Sequence, residues 1–118
     1  MRADYLRLED ILQAADTILE FTRGKDRESF RSDRLLQSAV LHQLSVMTEA
    51  ARNLSSEIKS QNPDVQWAEI VGFRNILVHE YFSLDLDIIW ETVSRNIPDL
   101  RAQVSEILKK LPEDSSTD

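Results

Sequence analysis

Arg74, Asn75, His79 and Tyr81 fall within eight consecutive residues, at the end of the run Gly72-Phe73-Arg74-Asn75-Ile76-Leu77-Val78-His79-Glu80-Tyr81. A guanidinium can hold two oxygens of one phosphate at once. An imidazole can take and return a proton near neutral pH. Asn75 adds an amide able to orient the imidazole or to bind a substrate oxygen. Arg74 and Asn75 interrupt apolar surroundings, between Phe73 and Ile76-Leu77-Val78. A guanidinium there is costly to bury unless a partner satisfies it. Two ordinary readings apply: Arg74 snorkels to solvent, or it pairs with a carboxylate. The imidazole and phenol that follow so closely favour a site instead.

Spacing constrains that site. Arg74 and His79 are five residues apart. On one ideal helix this is about 500° of rotation, leaving roughly 140° between their directions. One straight helix does not aim both at a single phosphate. Either the helix loosens near His79, or a second copy of the chain completes the site across a two-fold axis.

Arg74-Asn75, then His79-Glu80-Tyr81, resembles the Arg-x4-His-x-Tyr motif of the HEPN superfamily. More specifically it looks like the HepT-like toxins encoded beside a minimal nucleotidyltransferase antitoxin. The likeness covers nearly the whole chain, including Trp67 before the motif and Leu84-Asp85-Leu86-Asp87-Ile88-Ile89-Trp90 after it. It implies an all-α, antiparallel four- to five-helix bundle acting as a homodimer, with a composite Arg/His cleft at the dimer interface. It further implies a type VII-like toxin: a metal-independent endoribonuclease that leaves a cyclic phosphate. RNA brings its own nucleophile, the ribose 2′-hydroxyl, so the protein must supply a base, an acid and a cation. Arg74 and His79, each supplied twice, meet that need with Asn75 in support. In HepT-like proteins the motif tyrosine receives AMP from the antitoxin, which marks Tyr81 as the expected off-switch. A bulky anion two residues from His79 would block the cleft and repel RNA. The alternative is a non-catalytic nucleotide- or partner-binding subunit of a nucleotidyltransferase complex. A plain helical dimerisation module is a third reading.

Composition frames these readings. The chain has 118 residues, the size of one domain, and 42% are hydrophobic, enough for a core. With Gly 2 and Pro 3 it is too poor in turn formers for a sheet-rich fold. It has no Cys, which excludes disulfides, thiolate chemistry and cysteine zinc sites. No carboxylate pair or His-rich box suggests a metal, and adjacent His79 and Glu80 diverge on a helix. No cofactor is expected. The net charge of -7 argues against coating nucleic acid by bulk charge, and it fits storage against a basic partner surface. Met1-Arg2-Ala3-Asp4 leads straight into an amphipathic pattern, and no run is long enough to span a bilayer, so the cytoplasm is the expected location.

The positioning elements follow from periodicity. Tyr5, Leu8, Ile11, Leu12, Ala15, Ile18 and Leu19 predict a helix over 3–22, with Gly24 at its left-handed C-cap. Residues 23–34 are charge-dense, with Arg23, Lys25, Arg27, Arg31 and Arg34 against Asp26, Glu28 and Asp33. They read as a solvated turn and, more sharply, as a rim for substrate phosphates. Ser32 is the expected N-cap of a helix over 33–53, whose stripe is Leu36, Val40, Leu44, Met47, Ala51 and Leu54. His42 on that helix has no ligand neighbour and reads as structural or surface, not catalytic. A short helix over 55–61 follows.

Asn62-Pro63-Asp64 breaks the chain, and Asp64 is the expected cap of a helix over 66–79 with Trp67, Ile70, Phe73 and Leu77 as its ridge. Gly72 would admit a neighbouring backbone. Ser83 or Asp85 would cap a helix over 86–95 burying Ile88, Ile89 and Val93, with Asn96-Ile97-Pro98 kinking or restarting it. Residues 1–111 thus form one domain, and the acidic tail 112–118 has no apolar content and is expected to be disordered.

Overall fold

Leu8, Ile11, Ala15 and Ile18 recur at three and four, so a helix gathers them on one face, and each is essentially free of solvent. Burying a Leu or Ile this completely is worth about 1.5–3 kcal/mol. The computed structural model describes residues 2–79 and 85–111, the side chains of Val78 and His79 excepted. Among the described residues all regular structure is helical. The helices are α1 (Arg2–Thr22), α2 (Arg27–Ser32), α3 (Arg34–Arg52), α4 (Ser56–Gln61), α5 (Trp67–His79), α6 (Leu86–Glu91) and α7 (Ile97–Lys110), with a π-helical segment at Thr92–Asn96 between the last two. None of them is long and apolar enough to cross a membrane.

The expected four or five helices correspond to the long elements plus α4. The excess is α2 and the division of the α6 region. Gly24 ends α1 with φ +73°, the left-handed conformation expected there. Two residues on, Asp26 begins a reciprocal capping box with Ser29 at 2.9 and 3.0 Å, which starts a short helix inside the supposed turn. That helix carries Phe30 into the core, where its ring lies 5.4 Å from that of Trp90. Ser32 is therefore the last residue of α2, not a cap. Asp33 separates the two helices and caps α3 by accepting from the Leu36 amide at 3.0 Å.

The predicted stripe of α3, Leu36, Val40, Leu44, Met47, Ala51 and Leu54, is buried throughout. Ser55 caps α4, its hydroxyl accepting from the Ile58 amide at 3.2 Å. The Asp64 expectation fails. A turn through Asn62 to Val65 buries Val65, so α5 begins at Trp67, and the Asp64 carbonyl instead accepts from Gln103. Trp67 Nε1 donates to the Asn62 carbonyl at 2.9 Å and ties the helix to that turn.

Asp85 caps α6 through the Asp87 amide at 2.9 Å, whereas Ser83 lies outside the described residues. The helix expected over 86–95 changes character at Thr92. Pro98, inside the first turn of α7, has no N–H and would crowd the carbonyl of residue 94. The backbone widens instead, and the Ile97 amide reaches back to the Thr92 carbonyl in a π-type bond. Ile89 and Val93 face the core as expected, but Ile88 is 51% exposed. Neighbouring residues point about 100° apart on a helix, so one of the pair must face out.

The strongest packing is of α1 on α3, then α1 on α7 and α3 on α5. This order sets α7 against α1 and α5 against α3. Between α5, α3 and the start of α7 remains a groove of about 480 Å³.

Candidate active site

Helix α5 carries Arg74, Asn75 and His79, and it stays α-helical through His79. Loosening of the helix ahead of His79 is therefore absent. The backbone keeps positions 74 and 79 pointing well apart. His79 is the last described position of α5, its imidazole lies outside the described atoms, and Tyr81 lies outside the described residues.

Arg74 sits on the side of α5 that meets α3, its side chain one-third exposed. Its Nε donates to Oε2 of Glu49 at 2.7 Å. Of the two ordinary readings the carboxylate partner is the one present. Glu49 is itself held. Its Oε1 accepts from Arg52 Nη1 at 3.2 Å and from Asn53 Nδ2 at 3.4 Å. Asn53 also donates to the Glu49 carbonyl at 2.9 Å, which closes the end of α3. The Arg74 hydrogen bond, foremost, holds the Glu49 carboxyl below the ordinary glutamate range, aided by the charges of Arg74 and Arg52 and the Asn53 amide, and opposed by partial burial.

Asn75 is exposed, and its side chain makes no hydrogen bond with another described residue. Ala68, Gly72 and Ile76 are exposed with it on the side of α5 away from the core. Gly72 does not serve an intrachain approach, because a Cβ added there would meet no described atom within 4 Å. His42 is an exposed side chain on α3.

The basic stretch 23–34 is partly neutralised. Arg27 reaches Asp87 at 3.3 Å and Glu91 at 3.1 Å, and Arg31 lies 3.8 Å from Asp87. These contacts pin α2 to α6. Arg23, Lys25 and Arg34 have no ion-pair partner among the described residues. The groove beside α5 is lined by Phe73, Ile70, Met47 and the carboxylate-bearing Asp64, Glu69 and Asp99, and its described lining excludes Arg74. That rim is wrong in sign for a phosphodiester. No group of three or more His, Cys, Asp or Glu suited to holding a metal ion is present among the described residues.

Sequence reasoning missed Glu49. The signal was faint: Glu49, Arg52 and Asn53 at i, i+3 and i+4 share one side of α3, but nothing in the periodicity says that Arg74 meets them.

Comparison with known proteins bears on what this arrangement does. A family model described as "Ribonuclease HepT-like" matches residues 11–107. A protein of Caldanaerobacter subterraneus subsp. tengcongensis named "Putative RNase" is 42% identical over 87% of this chain and 92% of its own. One from Methanocaldococcus jannaschii, also named "Putative RNase", is 35% identical over 82% of this chain and 89% of its own. The "Probable ribonuclease HepT" of Thermococcus cleftensis is 37% identical over 90% of this chain and 94% of its own. No solved structure matches the chain at a significant level.

Proposed function

From the premise that this chain belongs to the ribonuclease HepT-like family, within the HEPN superfamily, we propose that it is the toxin of a toxin–antitoxin pair, a metal-independent endoribonuclease with a composite site made by two copies. The observation that carries the reading is the anchored Arg74 on a helix that stays regular through His79. Backbone positions 74 and 79 diverge on one helix and do not readily serve one phosphate, whereas two such helices facing each other would.

In this reading the 2′-hydroxyl of the substrate attacks the adjacent phosphorus, its proton passing to one His79 imidazole. The bond to the 5′-oxygen breaks, and that oxygen takes a proton from the other imidazole, leaving a 2′,3′-cyclic phosphate. Arg74 stabilises the charge that grows on the non-bridging oxygens. Asn75 is exposed beside Gly72, which supports its meeting substrate or the second copy in this arrangement. The exposed Gly72 and Ile76, with open space where a Cβ would stand, support a facing surface there.

Purified protein is incubated with single-stranded RNA and EDTA, and the ends are mapped. Cleavage that survives chelation, leaves cyclic phosphate ends and is lost in both Arg74→Ala and His79→Ala is the expected result. Wild-type rates in either variant remove that residue from the mechanism. Control is proposed to run through Tyr81, modified with AMP by a partner nucleotidyltransferase. Intact mass after incubation with that partner and ATP should rise by one adenylyl group, and Tyr81→Phe should block the gain.

The net charge of -7 favours a second reading, a partner-binding subunit without activity. Absence of cleavage with tight binding to the nucleotidyltransferase would select it.

A further inference from the structure

Glu49 is half exposed on α3, where water would serve a carboxylate well, yet both its oxygens are engaged by side chains. Exposed ion pairs usually leave both partners loose. This one joins two helices and is braced from behind by Arg52 and Asn53.

The manner of the contact matters more than its existence. Glu49 takes only Nε of Arg74, at 2.7 Å. A guanidinium has five N–H donors in a planar fork, and a carboxylate that meant to occupy it would accept from two nitrogens at once. The four N–H groups on Nη1 and Nη2 have no partner among the described residues. Holding Nε fixes the plane of the guanidinium and the direction of its terminal edge, which is the edge that grips two phosphate oxygens.

We propose that Glu49 is the positioning residue for Arg74: braced by Arg52 and Asn53, it holds Nε so that the two terminal nitrogens are presented to the scissile phosphate. The proposal rests on the ribonuclease reading above. It also sets Glu49 against a different role, a carboxylate that competes with phosphate and must let go before substrate binds. A competitor would take the terminal edge. Glu49 leaves that edge open, and it can stay in place while phosphate is held.

The test is steady-state cleavage of a short single-stranded RNA by Glu49→Gln, Glu49→Ala and Arg74→Ala, with folding checked by circular dichroism. Glu49→Ala should lower kcat by roughly a hundredfold, the cost of misplacing a reacting group by about an ångström. Glu49→Gln keeps the size and one acceptor oxygen and should fall between Glu49→Ala and wild type. KM should hold or drop in both, because a negative charge near the substrate is gone. A merely structural role would instead lower the folded fraction and leave the kcat of the folded enzyme intact. The double variant Arg74→Ala/Glu49→Ala should be no slower than Arg74→Ala alone, because Glu49 acts through Arg74. Inactive Arg74→Ala beside wild-type kcat in both Glu49 variants would overturn the positioning role and spare the ribonuclease reading. A faster Glu49→Ala would identify a competitor and also overturn it. Wild-type cleavage by Arg74→Ala would overturn the reading and the positioning role together.

Discussion

Asp4 and Ser55, 51 residues apart in the chain, meet through two hydrogen bonds: Ser55 N to Oδ1 at 2.9 Å and Ser55 Oγ to Oδ2 at 2.6 Å. The carboxylate is buried, with 6% of Asp4 exposed. It fastens the start of α1 to the N-cap of α4, and so sets where α3 ends and the turn toward α5 begins. Removing one partner of a buried, hydrogen-bonded group leaves the other unsatisfied.

Asp4→Ala should therefore destabilise the fold by about 1–3 kcal/mol at neutral pH. Urea unfolding followed by circular dichroism measures it. A loss within error of zero would mean that water replaces the carboxylate without cost.

Phe30 offers a larger effect. It is fully buried against Trp90 although it sits on a helix of six residues. So short a helix has little stability of its own, and its place depends on this one anchor and the Arg27 ion pairs. Phe30→Ala should cost about 3–5 kcal/mol, and Arg27→Ala far less because its pairs are exposed. Thermal melts of the two variants distinguish the anchors; similar losses would contradict the burial argument.

These cases show what could be read in the chain and what could not. The stripes of α1 and α3 follow from spacing alone, because one buried face forces a period near 3.6. Gly24 and Asp85 were legible as caps because their chemistry is local. Ser32 and Asp64 were misread for the same reason: a neighbouring residue, Asp33 or Val65, had a stronger local or burial requirement that moved each helix start by one position. The π segment before Pro98 was legible as a disturbance but not as a widened turn. The ends of the candidate site, Arg74 and His79, could be picked from residue type. Glu49 could not, because its partner lies on another helix 25 residues away and only packing brings the two together.

Acid should weaken the α3–α5 connection. The Glu49 carboxyl is held below its ordinary range, first by the Arg74 hydrogen bond, so the folded state binds that proton less readily than the unfolded chain. The stability it contributes is complete above the ordinary glutamate range and is lost as pH falls through the depressed folded value. Asp26, lowered chiefly by the Ser29 hydroxyl, fades in the same direction. Urea midpoints of wild type and Glu49→Gln should differ at neutral pH and converge in strong acid. A gap that stayed constant with pH would remove the charge of Glu49 from the explanation.

The side of α5 away from the core separates a monomer's needs from a dimer's. Gly72 in mid-helix costs about 1 kcal/mol relative to Ala, and a methyl group there would touch nothing within 4 Å in this chain. Gly72→Ala should stabilise an isolated subunit by that amount. Ile76, 36% exposed, contributes little to the subunit's own core, so Ile76→Glu should leave monomer folding within about 0.5 kcal/mol of wild type. If two copies face each other across this side, Ile76→Glu places like charges at the contact and should abolish both dimerisation and RNA cleavage, while Gly72→Ala should weaken association despite its helix gain. Sedimentation of each variant beside cleavage assays reads both effects. A dimer that survives Ile76→Glu with full activity would move the composite site to another surface.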